Sequence, residues 1–461
     1  MTRPDRYVLR TVLIVALGGF LFGFDASVIA GVITFVEKEF SLGKIEMGWA
    51  VASLTLTATL SIMFAGPLAD RYGRRRMLHA AAVVFTVSAL MSASASDFTM
   101  LILARLLSGL GVGAALVVAP MYIAEISPAA VRGRMVSINQ LHVVVGISAA
   151  FFSNWLILKI GHADLPMFTA MRFEEWNWRW MLGIGSVPSV IFFVLLFTVP
   201  ESPRWLAMHG RLDVARSVLS RAHGEALAET ELAEVRASLA HEQGKAEVSP
   251  RELLAPELRR VVIIGLGIGI LQQITGINAV FFYAPVIFEH AGASADAAFA
   301  QAVYVGLVNL VFTVIAMLLI DRLGRRPLLM MGTAGIALSM GLLGWGFRGA
   351  GMEPALVLIG VLAFVASFAV SLGPIMWVLL SEIFPNRVRG VAISFVGLVN
   401  STVSFGVQLV FPWELTRLGN SWPWLIYGAF ALLGLLFIAR WVPETRGRSL
   451  EELEEALVRR A

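Results

Sequence analysis

The sequence predicts an all-α membrane protein with twelve transmembrane helices in two six-helix bundles and a cytoplasmic helical insert. Composition is the first support: 57% of the 461 residues are hydrophobic and only 15% are charged, where soluble domains sit near half and a quarter. The second is a series of twelve apolar runs, each about long enough to cross the ~30 Å of hydrocarbon in a bilayer. The third is a set of charged signatures that recurs in the two halves of the chain.

The apolar runs fall at 8–36, 47–69, 77–96, 99–124, 135–158, 180–199, 261–288, 301–320, 328–347, 355–380, 391–412 and 424–442. The first is too long for the core of a cleavable signal peptide and lacks a small-residue cleavage site, so it reads as a span. Twelve spans return both termini to one side. Placing the termini and the even-to-odd loops there collects roughly 28 of the 36 Lys and Arg, which marks that side as the cytoplasm. The same distribution accounts for the net charge of +4 without a nucleic-acid partner, because the basic residues sit in short loops beside apolar runs. Cys is absent, which excludes disulfides, thiolate chemistry and Cys-ligated metals.

The segment from Glu201 to Glu257 is charged and poor in aromatics, with helical stretches at Leu212–Ala222 and Glu225–His241; it is expected to be a solvated cytoplasmic insert. In the tail, Ser449 and Glu452 have the spacing of a capping box that opens a short helix, Leu450–Arg459. The expected division is therefore a bundle at 1–200, a linker domain at 201–257, a bundle at 258–443 and a cytoplasmic tail at 444–461. The longest external loop, Lys159–Arg179, ends among Trp176, Trp178 and Trp180, which suit either membrane anchoring or substrate capture.

The internal repeat is the most informative feature. Asp70-Arg71-Tyr72-Gly73-Arg74-Arg75 recurs 251 residues on as Asp321-Arg322-Leu323-Gly324-Arg325-Arg326. Glu125 followed by Arg132-Gly133 recurs 257 residues on as Glu382 followed by Arg389-Gly390. Pro200-Glu201-Ser202 closes the sixth run and Pro443-Glu444-Thr445 the twelfth. Parallel repeats of this kind build transporters whose two bundles rock about a site near the bilayer midplane.

With these motifs in order, the chain resembles the sugar porters of the major facilitator superfamily over nearly its whole length. Gly66-Pro67-Leu68-Ala69-Asp70-Arg71-Tyr72-Gly73-Arg74-Arg75 matches the superfamily's loop signature between the second and third helices. The narrower sugar-porter signatures are Pro200-Glu201-Ser202-Pro203-Arg204-Trp205-Leu206, Gln272-Gln273-Ile274-Thr275-Gly276-Ile277-Asn278 and Pro443-Glu444-Thr445-Arg446-Gly447. Independently of the resemblance, Gly73 and Gly324 permit tight turns, and the acidic and basic residues beside them can pair across neighbouring helix ends. The expected cytoplasmic gate is Asp70, Arg71, Arg75, Glu125 and Arg132 in the first half, with Asp321, Arg326, Glu382 and Arg389 in the second. A merely topogenic basic loop is the alternative.

An ionisable side chain inside a span costs at least ~2.5 kcal/mol on insertion scales, so each needs a reason. Asp25 lies in the first span and Arg105 near the start of the fourth. A carboxylate whose arginine partner approaches and retreats between two conformations can load and release a proton. The resemblance implies the same: proton-coupled sugar porters carry Asp at this position with the Arg as its modulator, whereas passive facilitators commonly carry Asn. A static ion pair between two helices is the plainer reading.

Amides both donate and accept, so a ring of them can satisfy the hydroxyls of a neutral polyol. The candidates are Gln140, Gln272, Gln273, Asn278, Asn309 and Asn400. Gln272 and Asn278 are six apart and need a broken helix to serve one site, and Thr275-Gly276 offers the break. The resemblance carries sugar contacts onto Gln140, Gln272, Gln273, Asn278 and Asn400, with Trp377 as a stacking aromatic; Phe22, Tyr283 and Asn309 match more loosely. Gly373-Pro374 is the expected hinge of the tenth helix. Met376 stands where many relatives have Pro, and Ser404 where some have an amide.

The reading that follows is a monosaccharide symporter that takes up a hexose or pentose together with a proton by alternating access. It would sit in the bacterial inner membrane as a monomer, with the bilayer as its only other partner. A facilitative uniporter is the alternative, and a sugar sensor is a weaker one because the insert is short. There is no Gly-x-x-x-x-Gly-Lys-Ser/Thr loop and no His-Glu-x-x-His site, so neither enzyme, cofactor nor metal is expected. His142, alone in its span, suits a packed or pore-lining neutral imidazole.

Overall fold

A computed structural model of the chain describes residues 6–163, 166–243, 249–348, 353–448 and 450–459. These are helices and connecting turns, without strands among the described residues. Twelve helical spans are long and apolar enough to cross a membrane: α1 (Arg6–Glu39), α2 (Lys44–Tyr72), α3 (Arg74–Ala93), α4 (Phe98–Ile126), α5 (Arg132–Gly161), α6 (Asn177–Thr198), α7 (Pro256–His290), α8 (Ala295–Ile320), α9 (Arg325–Gly346), α10 (Pro354–Ile383), α11 (Arg389–Arg417) and α12 (Trp422–Trp441). Helices predominate because hydrocarbon offers no partner for a free N–H or C=O, so the chain must satisfy its own backbone.

By contact the chain forms two compact units. One comprises α1 up to Ile29, Ser53–Ser153, and the stretch from Ile160 through the described helices of the insert; the other comprises Ala30–Ala52, Asn154–Lys159, and the second six spans with the tail. In the first, the insert is less solvated than its charge suggests. Its helices Pro203–Met208, Leu212–His223 and Glu225–Gln243 place Leu206, Ala215, Val218, Leu219, Ala222 and Leu232 in one apolar cluster with Val8, Val12, Leu78 and Tyr122. His223 then bridges Glu231 through Nδ1 and the Ile126 carbonyl, at 3.0 Å, through Nε2. The predicted tryptophan cluster divides: Trp178 is buried, under the Arg179 guanidinium, whereas Trp176 is exposed. Ser449, the expected cap of the tail helix, lies outside the described residues; the helix itself begins at Leu450.

Three spans are interrupted among the described residues: α6 at Ile184-Gly185, where the backbone stays right-handed, and α7 and α10, in the second unit, by sharper breaks. Span α7 carries the helices Arg259–Ile274 and Ile277–His290, the second kinked at Tyr283, and they are joined at Gly276 with φ of 87°, a left-handed conformation that glycine adopts without the Cβ clash other residues meet. Tyr427 packs against this break so closely that a Cβ on Gly276 would lie 2.5 Å from its ring. Span α10 breaks at Ser371 (φ −127°, ψ −95°), not at the expected Gly373-Pro374. Pro374 would clash with the carbonyl of Val370, four residues back, in a continuous helix, whereas in the first turn of a new helix its missing N–H is harmless. The break therefore precedes the proline.

Gly276→Ala is expected to lower the melting temperature and to impair sugar uptake in vesicles. Gly406→Ala in α11, where nothing lies within 4 Å of the new Cβ, should leave both unchanged.

Candidate functional site

In the first unit, Asp25 and Arg105 come together. Arg105 Nη1 lies 3.7 Å from Asp25 Oδ1 and donates at 2.9 Å to the Asp25 main-chain carbonyl; Ser108 Oγ donates to the other carboxylate oxygen, Oδ2. Arg105 is almost completely buried, whereas the Asp25 side chain keeps 20% exposure. Arg105 Nε is buried without a hydrogen-bond partner. The guanidinium is thus held near the carboxylate without the two-pronged contact that would lock the pair. Ser108 escaped the sequence reading, although its position one turn beyond Arg105 puts both on one helix face. Phe22, one turn before Asp25, is half-buried, and Gln140 on α5 is exposed. His142 turns its Nδ1 to the Ile138 carbonyl of its own helix, at 2.9 Å.

In the second unit, four of the predicted amides form one mesh. Gln272 donates to the carbonyls of Leu372 (3.0 Å) and Gly373 (3.3 Å), which ties the break in α7 to the restart of α10. The Gln272 carbonyl oxygen accepts from Gln273 (3.2 Å) and Asn400 (2.8 Å). Gln273 also donates to Asn400 Oδ1, at 3.3 Å, and accepts from Asn278, at 2.8 Å. Asn278 spans the glycine break, as the six-residue spacing requires, and donates to Ser404 Oγ at 2.6 Å. Gln408 reaches the same hydroxyl at 2.8 Å, and its main-chain carbonyl accepts from Tyr283 at 3.0 Å. Gln408 was missed in the sequence; it lies one turn after Ser404, which itself follows Asn400 by one turn. Asn309 is buried on α8 but makes none of these bonds, while Trp377 on α10 is 46% exposed, a ring face left open for stacking.

The loop signatures form the same network twice, once within each unit. Arg74 donates to Glu125 through Nε (3.0 Å) and Nη2 (2.9 Å), pairs with Asp70 at 2.8 Å, and caps the Ala69 carbonyl. Arg325 donates through Nε (3.2 Å) and Nη2 (2.9 Å) to a single oxygen of Glu382, Oε1, where Arg74 reaches both oxygens of Glu125, and it caps the Ile320 carbonyl. Ser202 and Thr445 donate to the second oxygens of Glu125 and Glu382. Glu201 accepts from the main-chain N–H of Arg75 at 3.1 Å, and Glu444 from those of Arg325 (3.1 Å) and Arg326 (3.2 Å). Gly73 (φ 101°) and Gly324 (φ 93°) give these carboxylates their approach.

This corrects the expected gate. The forked contact falls on Arg74 and Arg325, not Arg75 and Arg326, which instead turn to the Phe197 (3.5 Å) and Ala439 (2.6 Å) carbonyls. Arg71 lies over the Tyr72 ring, Arg132 is exposed, and Arg389 donates to the Phe384 carbonyl at 3.2 Å. The side chain of Asp321 lies outside the described residues. The helix start explains the correction: the first residue after the glycine points back along α3 or α9 toward the preceding turn, where the glutamate waits, and the second points away. Among the described residues there is no group of three or more His, Asp or Glu able to hold a metal.

Twelve apolar helical spans with an Asp–Arg pair in one unit, a mesh of amides on the spans of the other and a charge network at the helix ends of each define a secondary transporter. A family model described as "Sugar (and other) transporter" matches residues 11–457. The chain is 38% identical to the arabinose-proton symporter of Bacillus subtilis, covering 96% of this chain and 93% of that protein. It is 36% identical to the D-xylose-proton symporter of Escherichia coli, covering 97% and 95%, and 36% identical to the glucose transporter GlcP of Staphylococcus epidermidis, covering 96% and 95%. A solved inward-open structure of the xylose transporter XylE from E. coli superposes with a TM-score of 0.83 at 32% identity, covering 98% of this chain and all of that one. The chain belongs to the sugar porter family of the major facilitator superfamily: it is a multi-pass membrane transporter of sugars, not an enzyme.

Removing one partner of a buried forked pair leaves an uncompensated charge and costs about 3–5 kcal/mol. Glu125 and Arg74 are 10% and 3% exposed, against 22% and 13% for Glu382 and Arg325. Glu125→Ala is therefore expected to lower the melting temperature more than Glu382→Ala, measured by thermal unfolding in neutral detergent.

Proposed function

We propose that this transporter is a monosaccharide symporter that moves one pentose or hexose inward with a proton by alternating access. Asp25 carries the proton and Arg105 modulates it. The observation that supports this reading is the incomplete pairing of the two: a carboxylate with residual exposure, a 3.7 Å charge contact and an arginine whose Nε is unsatisfied. Such a pair has a tighter arrangement within reach, and alternation between the two is what loads and releases a proton. The names of the Bacillus and Escherichia relatives agree with proton coupling, and the sugars named among the relatives span pentose and hexose.

On this reading Gln272, Gln273, Asn278 and Asn400 exchange hydrogen bonds with one another for bonds with sugar hydroxyls, and Trp377 covers an apolar face of the ring. Gln140, Phe22, Tyr283 and Asn309 complete the contacts. The two charge networks hold the cytoplasmic ends of each six-helix half, with the insert as a linker domain between the halves. The protein lies in the bacterial inner membrane as a monomer, with both termini in the cytoplasm. At roughly 150 mV, one positive charge moving inward contributes about 3.5 kcal/mol, or ~2.5 decades of sugar accumulation.

Labelled arabinose, xylose and glucose offered to proteoliposomes with an inward proton gradient test the assignment. Wild type should accumulate at least one of them above equilibrium, and Asp25→Asn should only equilibrate it. Equilibration by wild type under the same gradient contradicts the reading and makes the protein a uniporter. Gln273→Ala, which removes a side chain bonded to three other polar side chains, is expected to raise KM for that sugar roughly tenfold or more while leaving its proton dependence intact.

A further inference from the structure

We propose that the cytoplasmic end of α3 and α6, with the first loop of the insert, binds the phosphate headgroup of an anionic phospholipid such as phosphatidylglycerol. A cavity of about 440 Å³ opens there, and the guanidinium-bearing residues Arg75, Arg76 and Arg211 line it together with His79 and Trp205. Its one acid, Glu201, is already engaged, accepting from the main-chain N–H groups of Arg75 at 3.1 Å and Ser202 at 2.9 Å. Three arginines facing one committed carboxylate leave the cavity cationic. Arg76 and Arg211 are exposed, and among the described residues neither pairs with a carboxylate. His79 directs Nδ1 to the Arg75 carbonyl at 3.0 Å, while its Nε2 is buried without a partner.

The cavity's surroundings favour a lipid over a dissolved anion. From Arg76 and His79, an exposed apolar stripe runs along α3 through Val83, Val87 and Leu90, at helical spacing on one face. On α6, packed against α3, Val190, Val194 and Phe197 are exposed as well, and Phe197 also lines the cavity. A cationic cup at the membrane surface above an apolar lane matches a phosphate with acyl chains below it. Basic pockets between spans on the cytoplasmic side recognise anionic headgroups in this way.

The internal repeat shows that the charge network does not itself require this basic chemistry. The second half keeps the Arg325–Glu382 pair and the Glu444 contacts, yet at the same 251-residue offset Arg76 and His79 become Pro327 and Met330. The cup is therefore an addition to one half. A headgroup bridging Arg76 on α3 and Arg211 in the insert would tie the insert to the span that carries Arg74, so the lipid would steady the network around Glu125.

The test is thermal unfolding of the full-length protein in neutral detergent, titrated with short-chain phosphatidylglycerol, with phosphatidylcholine of equal chain length, or with glycerol 1-phosphate alone. It needs neither sugar nor a proton gradient, so its outcome is independent of the symport reading. Phosphatidylglycerol should raise the melting temperature of wild type and of the control Arg259→Gln/Arg260→Gln, which removes two exposed arginines outside the cavity. In Arg76→Gln/Arg211→Gln, with both positions exposed and the unliganded melting temperature unchanged, the half-effective concentration should rise ~30-fold. An unaltered response in that variant, or an equal response to phosphatidylcholine, overturns the site. Equal stabilisation by glycerol 1-phosphate alone overturns its assignment to a lipid.

Discussion

Hydrocarbon solvates neither charges nor unpaired amides, and each polar group placed in it needs a partner from the chain itself. Most of what is specific in this protein follows from that demand. The backbone meets it by becoming helical. Asp25 and Arg105 meet it with each other and Ser108, and the five amides near the α7 break meet it with one another, the Ser404 hydroxyl and nearby backbone carbonyls. On the proposed reading a mesh satisfied in this internal way is also exchangeable, each amide trading a neighbour for a sugar hydroxyl at little net cost. The features that make the spans tolerable in lipid are the same ones that suit them to carry a polar solute.

The duplicated charge networks extend the principle to the helix ends. Each places a glutamate at the N-terminus of a helix, where free N–H groups and the helix dipole favour an anion, and an arginine hydrogen-bonded through two N–H groups to a second glutamate. A glycine in left-handed conformation makes each approach possible. The same arrangement arises from Tyr72 to Ser202 and from Leu323 to Thr445 without identical sequence, since threonine replaces serine and leucine replaces tyrosine. The geometry of pairing survives because hydroxyl, fork and glycine do. The cup around Arg76 and Arg211 falls outside this shared set.

Much of this was legible in the sequence because the signals are local. Hydropathy marked all twelve spans, the positions of Asp25 and Arg105 singled them out, and the spacing from Gln272 to Asn278 required the break found at Gly276. The misreadings have physical sources. Arg74 and Arg75 are chemically identical, and only the direction of the helix start separates the buried one from its neighbour. The hinge of α10 precedes its proline because the clash lies four residues back. The charge of the insert suggests a solvated segment, although Ala215, Val218, Leu219 and Ala222 have the spacing of a buried helix face. Ser108 and Gln408 are ordinary residues until a helix turn aligns them with a conspicuous one.

On the proposed reading proton coupling and sugar binding rest on different groups, Asp25 in one unit and the amide mesh in the other. Counterflow measures the second without the first: vesicles preloaded with unlabelled sugar take up labelled sugar by exchange, with no proton gradient required. Asp25→Asn should retain counterflow close to wild type. Loss of counterflow in Asp25→Asn, with the protein folded and inserted, would contradict that reading and make the Asp25–Arg105 pair a structural tie between α1 and α4.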